Sequence, residues 1–147
     1  MKIAVGSDHR GYPLKERIAR RLHGQGHEVQ DLGCAGTGAS DYPDYAFPVA
    51  EMVARGDAER GILVCGSGIG MSIAANKVKG VRAALCHTID DARMTRKHND
   101  SNVLTLSEKS MDDPDIEELV RVWLETPFEG DRHERRVKKI SEYEKRC

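Results

Sequence analysis

Gly61-Ile62-Leu63-Val64-Cys65-Gly66-Ser67-Gly68-Ile69-Gly70-Met71-Ser72-Ile73-Ala74-Ala75-Asn76-Lys77 changes character twice in seventeen residues. The uninterrupted apolar run Gly61–Val64 has the pattern of a central parallel strand covered on both faces. It stops at Cys65, passes Gly66, Gly68 and Gly70, and takes on helical composition over Met71–Lys77. A buried strand, a glycine turn and a helix make one repeat unit of an α/β fold. The rest of the chain is read for further copies of that unit.

Working outward, Lys2–Val5, His27–Asp31, Val81–Cys86 and Asn102–Leu106 read as four more strands. Between them lie helical patterns. Leu14, Ile18, Ala19 and Leu22 follow Pro13, which a first helical turn tolerates, and Gly24 and Gly26 end the run. Val49, Ala50 and Val53 share the face of a helix of about ten residues, Asp90–Lys97 forms another, and Asp112-Asp113-Pro114 starts one carrying Ile116, Leu119, Val120 and Trp123. Arg132–Lys145 is a last, charge-rich helix within a 131–147 tail. Five strands alternating with helices predict a Rossmann-like α/β/α sandwich on a five-stranded parallel sheet, with residues 1–147 forming one domain.

In such sheets ligands bind beyond the carboxyl ends of the strands. That rule directs attention to Gly6–Gly11, Cys65–Gly70, Cys86–Thr88 and the segment near the fifth strand, which are expected on one rim. Glycines let consecutive N–H groups converge on an anion at a helix start, and the same field favours thiolate at Cys65. A thiolate beside an oxyanion nest suits nucleophilic attack or proton abstraction next to a carbonyl. Met71 stands where a P-loop would continue with lysine, where the dinucleotide fingerprint would place glycine, and where a cysteine phosphatase would place arginine. Other groups admit two readings each. Asp8 either orients a substrate hydroxyl or caps the next helix; His98-Asn99-Asp100, placed after a helix, is catalytic or a solvated loop. Arg132 and Arg136, four apart, share a helix face fit for a phosphate dianion or simply form part of a solvated basic surface.

Composition narrows the classes. A net charge of −1 and 39% hydrophobic residues describe an ordinary globular chain with no global pull on nucleic acid or anionic membranes. No apolar run suits a membrane span, and the amino terminus turns polar too early for a signal peptide, so a cytoplasmic setting is expected. Cys34, Cys65, Cys86 and Cys147 are scattered without a C-x-x-C pair, which predicts free thiols and no zinc site. Carboxylates and histidines are not clustered at ligand spacing along the chain, so nothing calls for a metal or any other cofactor.

Ser7-Asp8-His9, Asp41-Tyr42-Pro43, Cys65–Lys77, Gly80-Val81-Arg82-Ala83-Ala84, Ala92-Arg93-Met94, His98-Asn99-Asp100 and Gly130-Asp131-Arg132-His133 together resemble the ribose-5-phosphate isomerase B family, over nearly the whole chain. That family also holds allose-6-phosphate and galactose-6-phosphate isomerases. The resemblance implies interconversion of ribose 5-phosphate and ribulose 5-phosphate, in pentose-phosphate metabolism, by a homodimer (or dimer of dimers) with shared sites. By position, Cys65 resembles the base that moves the C2 proton through an enediolate. Gly66, Gly68, Ile69 and Gly70 would supply amides for its oxygen with help from Asn99, and Ser67 would assist proton transfer. His98 resembles the ring-opening acid/base group, Asp8 and Tyr42 the groups holding that end of the sugar, and His9, Arg132 and Arg136 the phosphate ligands, with both arginines from the partner. Cys65 with methionine at 71 resembles the cysteine-dependent branch. Asp131 and the stretch 107–115 depart from the family's usual pattern. Two alternatives stand beside this reading: a six-carbon sugar phosphate as substrate, and a non-catalytic sugar-phosphate-binding regulator.

Overall fold

The computed structural model describes residues 1–147. Five strands alternate with six helices: β1 (Lys2–Ser7), α1 (Tyr12–Gly24), β2 (Glu28–Asp31), α2 (Pro43–Ala54), β3 (Arg60–Cys65), α3 (Ile69–Ala75), β4 (Ala83–Leu85), α4 (Ile89–Asn99), β5 (Val103–Ser107), α5 (Ile116–Glu125) and α6 (Arg132–Glu144). All neighbouring strands are parallel, in the order β2-β1-β3-β5-β4. From β1 the chain goes outward to β2 and then returns to the other side as β3, so strand order reverses between β1 and β3. A crevice opens at such a reversal, at the strands' carboxyl ends.

Alternation along the central strands builds two cores. Ile3, Val5, Ile62, Val64, Leu104 and Leu106 face α1, α4 and α5, where Trp123 is wholly buried. Ala4, Leu63, Cys65 and Val103 face α2 and α3. Cys65 and α4 therefore lie on opposite faces of the sheet.

Expected and observed elements differ mainly at ends. Helix α3 begins at Ile69, inside the glycine stretch, and closes at Ala75. Strand β4 is three residues long, because it is an edge strand held only by β5. Helix α5 starts at Ile116 rather than beside Pro114, and a 3-10 turn at Glu108–Asp112 fills the gap. His98 and Asn99 form the last turn of α4, rather than a loop beyond it.

One buried charge fixes the outer edge of the β1–β2 pair. Lys15 is 2% exposed, and its Nζ donates to Asp31 Oδ2 at 2.6 Å and to the Cys34 carbonyl at 3.0 Å. Burial lowers the Lys15 pKa, but hydrogen bonds to Asp31 and Glu16 outweigh it and the group ends above the usual lysine range. Asp31 also accepts from the Gly33 N–H at 2.9 Å, so this one lysine pins the loop leaving β2.

Candidate active site

At the carboxyl end of the sheet the backbone itself forms the site. The Asp8 N–H donates to the Val64 carbonyl at 3.3 Å, and Asp8 Oδ1 accepts from the N–H groups of Arg10 and Gly11 at 3.0 and 2.9 Å. Helix α1 is capped at Gly11 without any side chain, so Asp8 closes the turn before the helix instead of capping it. Gly11 is obligatory here: a Cβ would lie 2.3 Å from the Val64 carbonyl oxygen. These ties hold the Asp8 carboxylate beside the end of β3.

Cys65 is 4% exposed and its Sγ accepts from the Gly68 N–H at 3.1 Å. Gly68 has φ +77, a left-handed turn at the start of α3, with Leu106 backbone too close for a side chain. Ser67 is exposed and its Oγ accepts from the Ile69 N–H at 3.2 Å. Ser107 Oγ donates to the Gly66 carbonyl at 2.8 Å, anchoring the loop to β5. The Tyr42 ring lies against Gly70, where a Cβ would come within 2.7 Å of it. The His9 ring Nδ1 accepts from the Ser40 N–H at 3.2 Å, which leaves Nε2 as the N–H donor of the neutral ring.

Sequence reasoning passed over Arg10. Its guanidinium lies against Gly66, at 3.3 Å from where a Cβ would be, and is ion-paired with Glu108. Only the order of the strands brings the 3-10 turn after β5 beside the loop after β1.

His98 and Asn99, before the fifth strand, are elsewhere, which corrects the expectation of one rim for that segment; Arg132 and Arg136, expected from a partner copy, lie on α6 beside them. Helix α4 runs back against the strands, so its last turn reaches the amino end of the sheet. Val103 pairs level with Gly61 and Cys65 with Ser107, so the chain between Asn99 and β5 lies about 13 Å below the level of Cys65. Side chains hold this second group. Asp100 takes a left-handed conformation, φ 47 and ψ 46, and ends α4. Its carboxylate accepts from Arg96 at 2.8 Å and from Arg82 at 3.2 Å, while Arg82 Nε also reaches the Asn99 carbonyl at 3.1 Å. Ser101 Oγ accepts from the buried Trp123 indole at 2.9 Å. The end of α4 is thus locked to α5 and to the residue before β4.

The His98 ring stacks on His133 with centroids 4.1 Å apart and planes 15° from parallel. His133, in the first turn of α6, is 4% exposed, and its Nε2 is buried without a hydrogen-bond partner. Burial, then the charges of His98 and Arg132, push His133 below the usual histidine range. Arg132, Arg136 and Asn99 are exposed. Glu129 completes the group: its N–H donates to the Lys97 carbonyl at 3.1 Å, and His98, Glu129 and His133 bring ligand atoms within 4.8 Å of one another. Residues far apart in sequence therefore do cluster at ligand spacing, contrary to expectation; only the crossing of α6 over α4 reveals it.

Cys34, Cys65 and Cys86 are buried and Cys147 is exposed, all as free thiols. Burial, and then the Asp91 charge, push the Cys86 thiol up to about 12, so it is inert at neutral pH. A cleft of about 830 Å³ runs between α6 and the β4 edge past Asn99, Ile140 and Tyr143, and Cys65 does not line it.

Residues 3–140 match the profile of the Ribose/Galactose Isomerase family. Ribose-5-phosphate isomerase B of Escherichia coli is 43% identical over 145 residues, covering 99% of this chain and 97% of that one. Among solved structures, the Clostridium thermocellum ribose-5-phosphate isomerase B superposes with a TM-score of 0.96 at 50% identity, covering 99% of both chains. The Mycoplasma genitalium ribose-5-phosphate isomerase B, solved with bound ribulose-5-phosphate, gives 0.94 at 43% identity, covering 99% of this chain and 97% of that one.

Proposed function

The chain belongs to the ribose/galactose isomerase family, and from that premise we propose that it interconverts ribose 5-phosphate and ribulose 5-phosphate, with Cys65 as the proton-transfer base of a site shared by two copies. The bound product in the Mycoplasma relative supports the five-carbon substrate. One observation carries the mechanism: Cys65 Sγ sits at the mouth of the glycine turn with the Gly68 N–H on it at 3.1 Å. A thiolate there is met by an oriented donor.

His98 opens the sugar ring by moving a proton between the ring oxygen and the anomeric hydroxyl, while Asp8 and Tyr42 hold that end of the sugar. The Cys65 thiolate then takes the proton from C2. The electrons move onto O1, where the glycine-loop amides and Asn99 hold the enediolate, and Ser67 relays the proton between O2 and O1. Return of the proton from Cys65 to C1 gives the ketose. Loss of one such oxyanion donor costs about 10²–10³ in rate. His9, through Nε2, and Arg132 and Arg136 grip the phosphate. Since proton transfer runs through a thiol and fixed amides, no cofactor is assigned.

The separation of the two groups supports the shared site. Cys65 and His98 lie on opposite faces and at opposite ends of one sheet, too far apart to meet on one five-carbon sugar. A second copy can bring its His98, Asn99, Arg132 and Arg136 to the first copy's Cys65. Exposed Ile69 and Ile73 on α3, Met94 on α4, and Ile140 and Tyr143 on α6 are 37–66% exposed and offer apolar area for that association. The α6 segment, 131–147, packs on the partner in this reading, with residues 1–147 acting as one domain. The free thiols suit a reducing cytoplasm, and no helix is long and apolar enough to cross a membrane.

The test is a metal-free assay, with EDTA present, comparing ribose 5-phosphate with allose 6-phosphate, alongside light scattering. Faster ketose formation from the five-carbon sugar by a dimer or larger assembly is expected. Preference for the six-carbon sugar reassigns the substrate, an active monomer removes the shared site, and turnover of neither sugar ends the isomerase reading.

A further inference from the structure

We propose that His98, Glu129 and His133 form a binding site for one divalent transition-metal ion, and that filling it arrests the isomerase by taking His98 out of use. The second half rests on the ring-opening role given to His98 above. Two imidazoles and one carboxylate are a donor set that suits nickel, cobalt and zinc, and their ligand atoms already lie within 4.8 Å of one another. An independent observation points the same way. His133 Nε2 is buried and has no hydrogen-bond partner, in a residue only 4% exposed. A buried ring nitrogen left without a partner is uncommon, and a metal ion supplies one.

The rings stack 4.1 Å apart and 15° from parallel, so their lone pairs run side by side instead of converging. Metal–nitrogen bonds of about 2.0–2.1 Å in a tetrahedral site require the two nitrogens roughly 3.3 Å apart. A tilt of the half-buried His98 ring supplies that change, because the backbone beneath it is fixed by Arg82 and Arg96 through Asp100. Glu129 needs no refolding, since its own N–H is already bonded to Lys97 in the last turn of α4. The opposing charges come from Arg132 and Arg136 at the start of α6, which weaken binding of any cation. The site is therefore that of a reversible inhibitor, and the coordinated His98 can neither accept nor donate its proton.

Titrate EDTA-stripped, dialysed protein with Co2+, reading visible absorption and ribose 5-phosphate turnover in parallel. Expected are one Co2+ per chain, no near-ultraviolet sulfur-to-cobalt band, activity falling over the same range, and full recovery on adding EDTA. Glu129→Gln, on an exposed residue outside the catalytic set, should keep the metal-free rate and raise the half-saturating Co2+ concentration about tenfold or more. His133→Gln should remove binding; Glu129→Gln covers the case in which that buried change fails to fold. A sulfur-to-cobalt band, or Co2+ binding unchanged in Glu129→Gln, overturns the site. Cobalt bound as expected to a fully active wild-type enzyme overturns the arrest and faults the role of His98 alone. Absence of turnover without metal faults the isomerase reading, and the absorption titration still decides the metal site.

Discussion

At the carboxyl end of the sheet, Asp8, Cys65 and Ser67 are placed by peptide groups: Val64 and Gly11 set the first, Gly68 the second and Ile69 the third. At the amino end, His98 and Asn99 are placed by side chains, through Asp100 between two arginines, Trp123 on Ser101, and a histidine stack. A backbone-built site depends on a few glycines and is indifferent to most neighbouring side chains. A site built from charged side chains depends on balance, and removal of one partner leaves another buried and unpaired. The two groups of residues proposed for the site thus have different vulnerabilities.

The sharpest way to break this comparison is to disable each half in a different chain. Cys65→Ala should lower kcat by about 10³-fold or more, in line with loss of a general base, with little change in melting temperature; near-normal turnover would remove the thiol from the mechanism. His98→Asn should be comparably impaired. Equal amounts of the two variants, mixed under conditions that exchange subunits, should regain about a quarter of wild-type activity, because half the dimers then carry one intact site. Persistent inactivity after demonstrated exchange would place both residues in one chain's site.

Gly68→Ala attacks the backbone-built half. Its φ of +77 and a Cβ only 2.9 Å from the Leu106 carbonyl carbon predict loss of about 2–3 kcal/mol of stability and a further drop of roughly 10²-fold in kcat. Urea denaturation and initial rates measure the two separately. Asp100→Asn attacks the side-chain-built half more gently, because asparagine tolerates the left-handed conformation and only the charge is lost. A loss of about 1–2 kcal/mol is expected, with kcat falling as His98 loses its fixed position. A rate loss without destabilisation would show that the arginines find other partners.

The effect that vanishes at neutral pH is confined to alkaline solution and concerns Cys86, one of the three buried thiols. Cys86 has its folded pKa raised to about 12, above the ordinary thiol value of about 8.5 that applies when the chain is unfolded. The unfolded chain therefore loses this proton first, and stability contributed by neutral Cys86 falls as pH rises from about 9 toward 12. The slope is at most about 1.4 kcal/mol per pH unit. Cys86→Ala should flatten the decline in that window while leaving turnover at pH 7 intact. An unchanged alkaline slope would show that other groups dominate it.

Much of the fold was legible because buried parallel strands are apolar runs and their glycine stops are abrupt: Gly61–Val64 and Asn102–Leu106 both became central strands. The edge strand was overestimated because it pairs with β5 over three residues only, and beyond them Cys86 keeps a single bond, from its N–H to the Thr105 carbonyl at 3.2 Å. The turn from Cys65 through Gly70 was legible because it is contiguous. The position of His98 was obscured by treating every polar stretch between elements as part of the same rim, although a stretch leading from a helix into a parallel strand belongs to the opposite end. Arg10 beside Gly66, and His98 with Glu129 and His133, depend on pairs 31 to 56 residues apart whose meeting is set by strand order and by the crossing of α6 over α4. Local spacing contains no trace of them.

The edge strand β4 has one more consequence, for how copies of this protein can join. Asn76 folds back so that its amide donates to the Ala83 carbonyl at 2.9 Å and accepts from the Ala83 N–H at 2.8 Å. One side chain thus imitates a neighbouring strand and seals the open border of the sheet at that residue. Exposed borders of this kind invite runaway ribbon growth between molecules. With Ala83 occupied, another strand cannot extend the sheet by pairing at that residue. A single asparagine therefore guards that point of the edge against fibrous stacking.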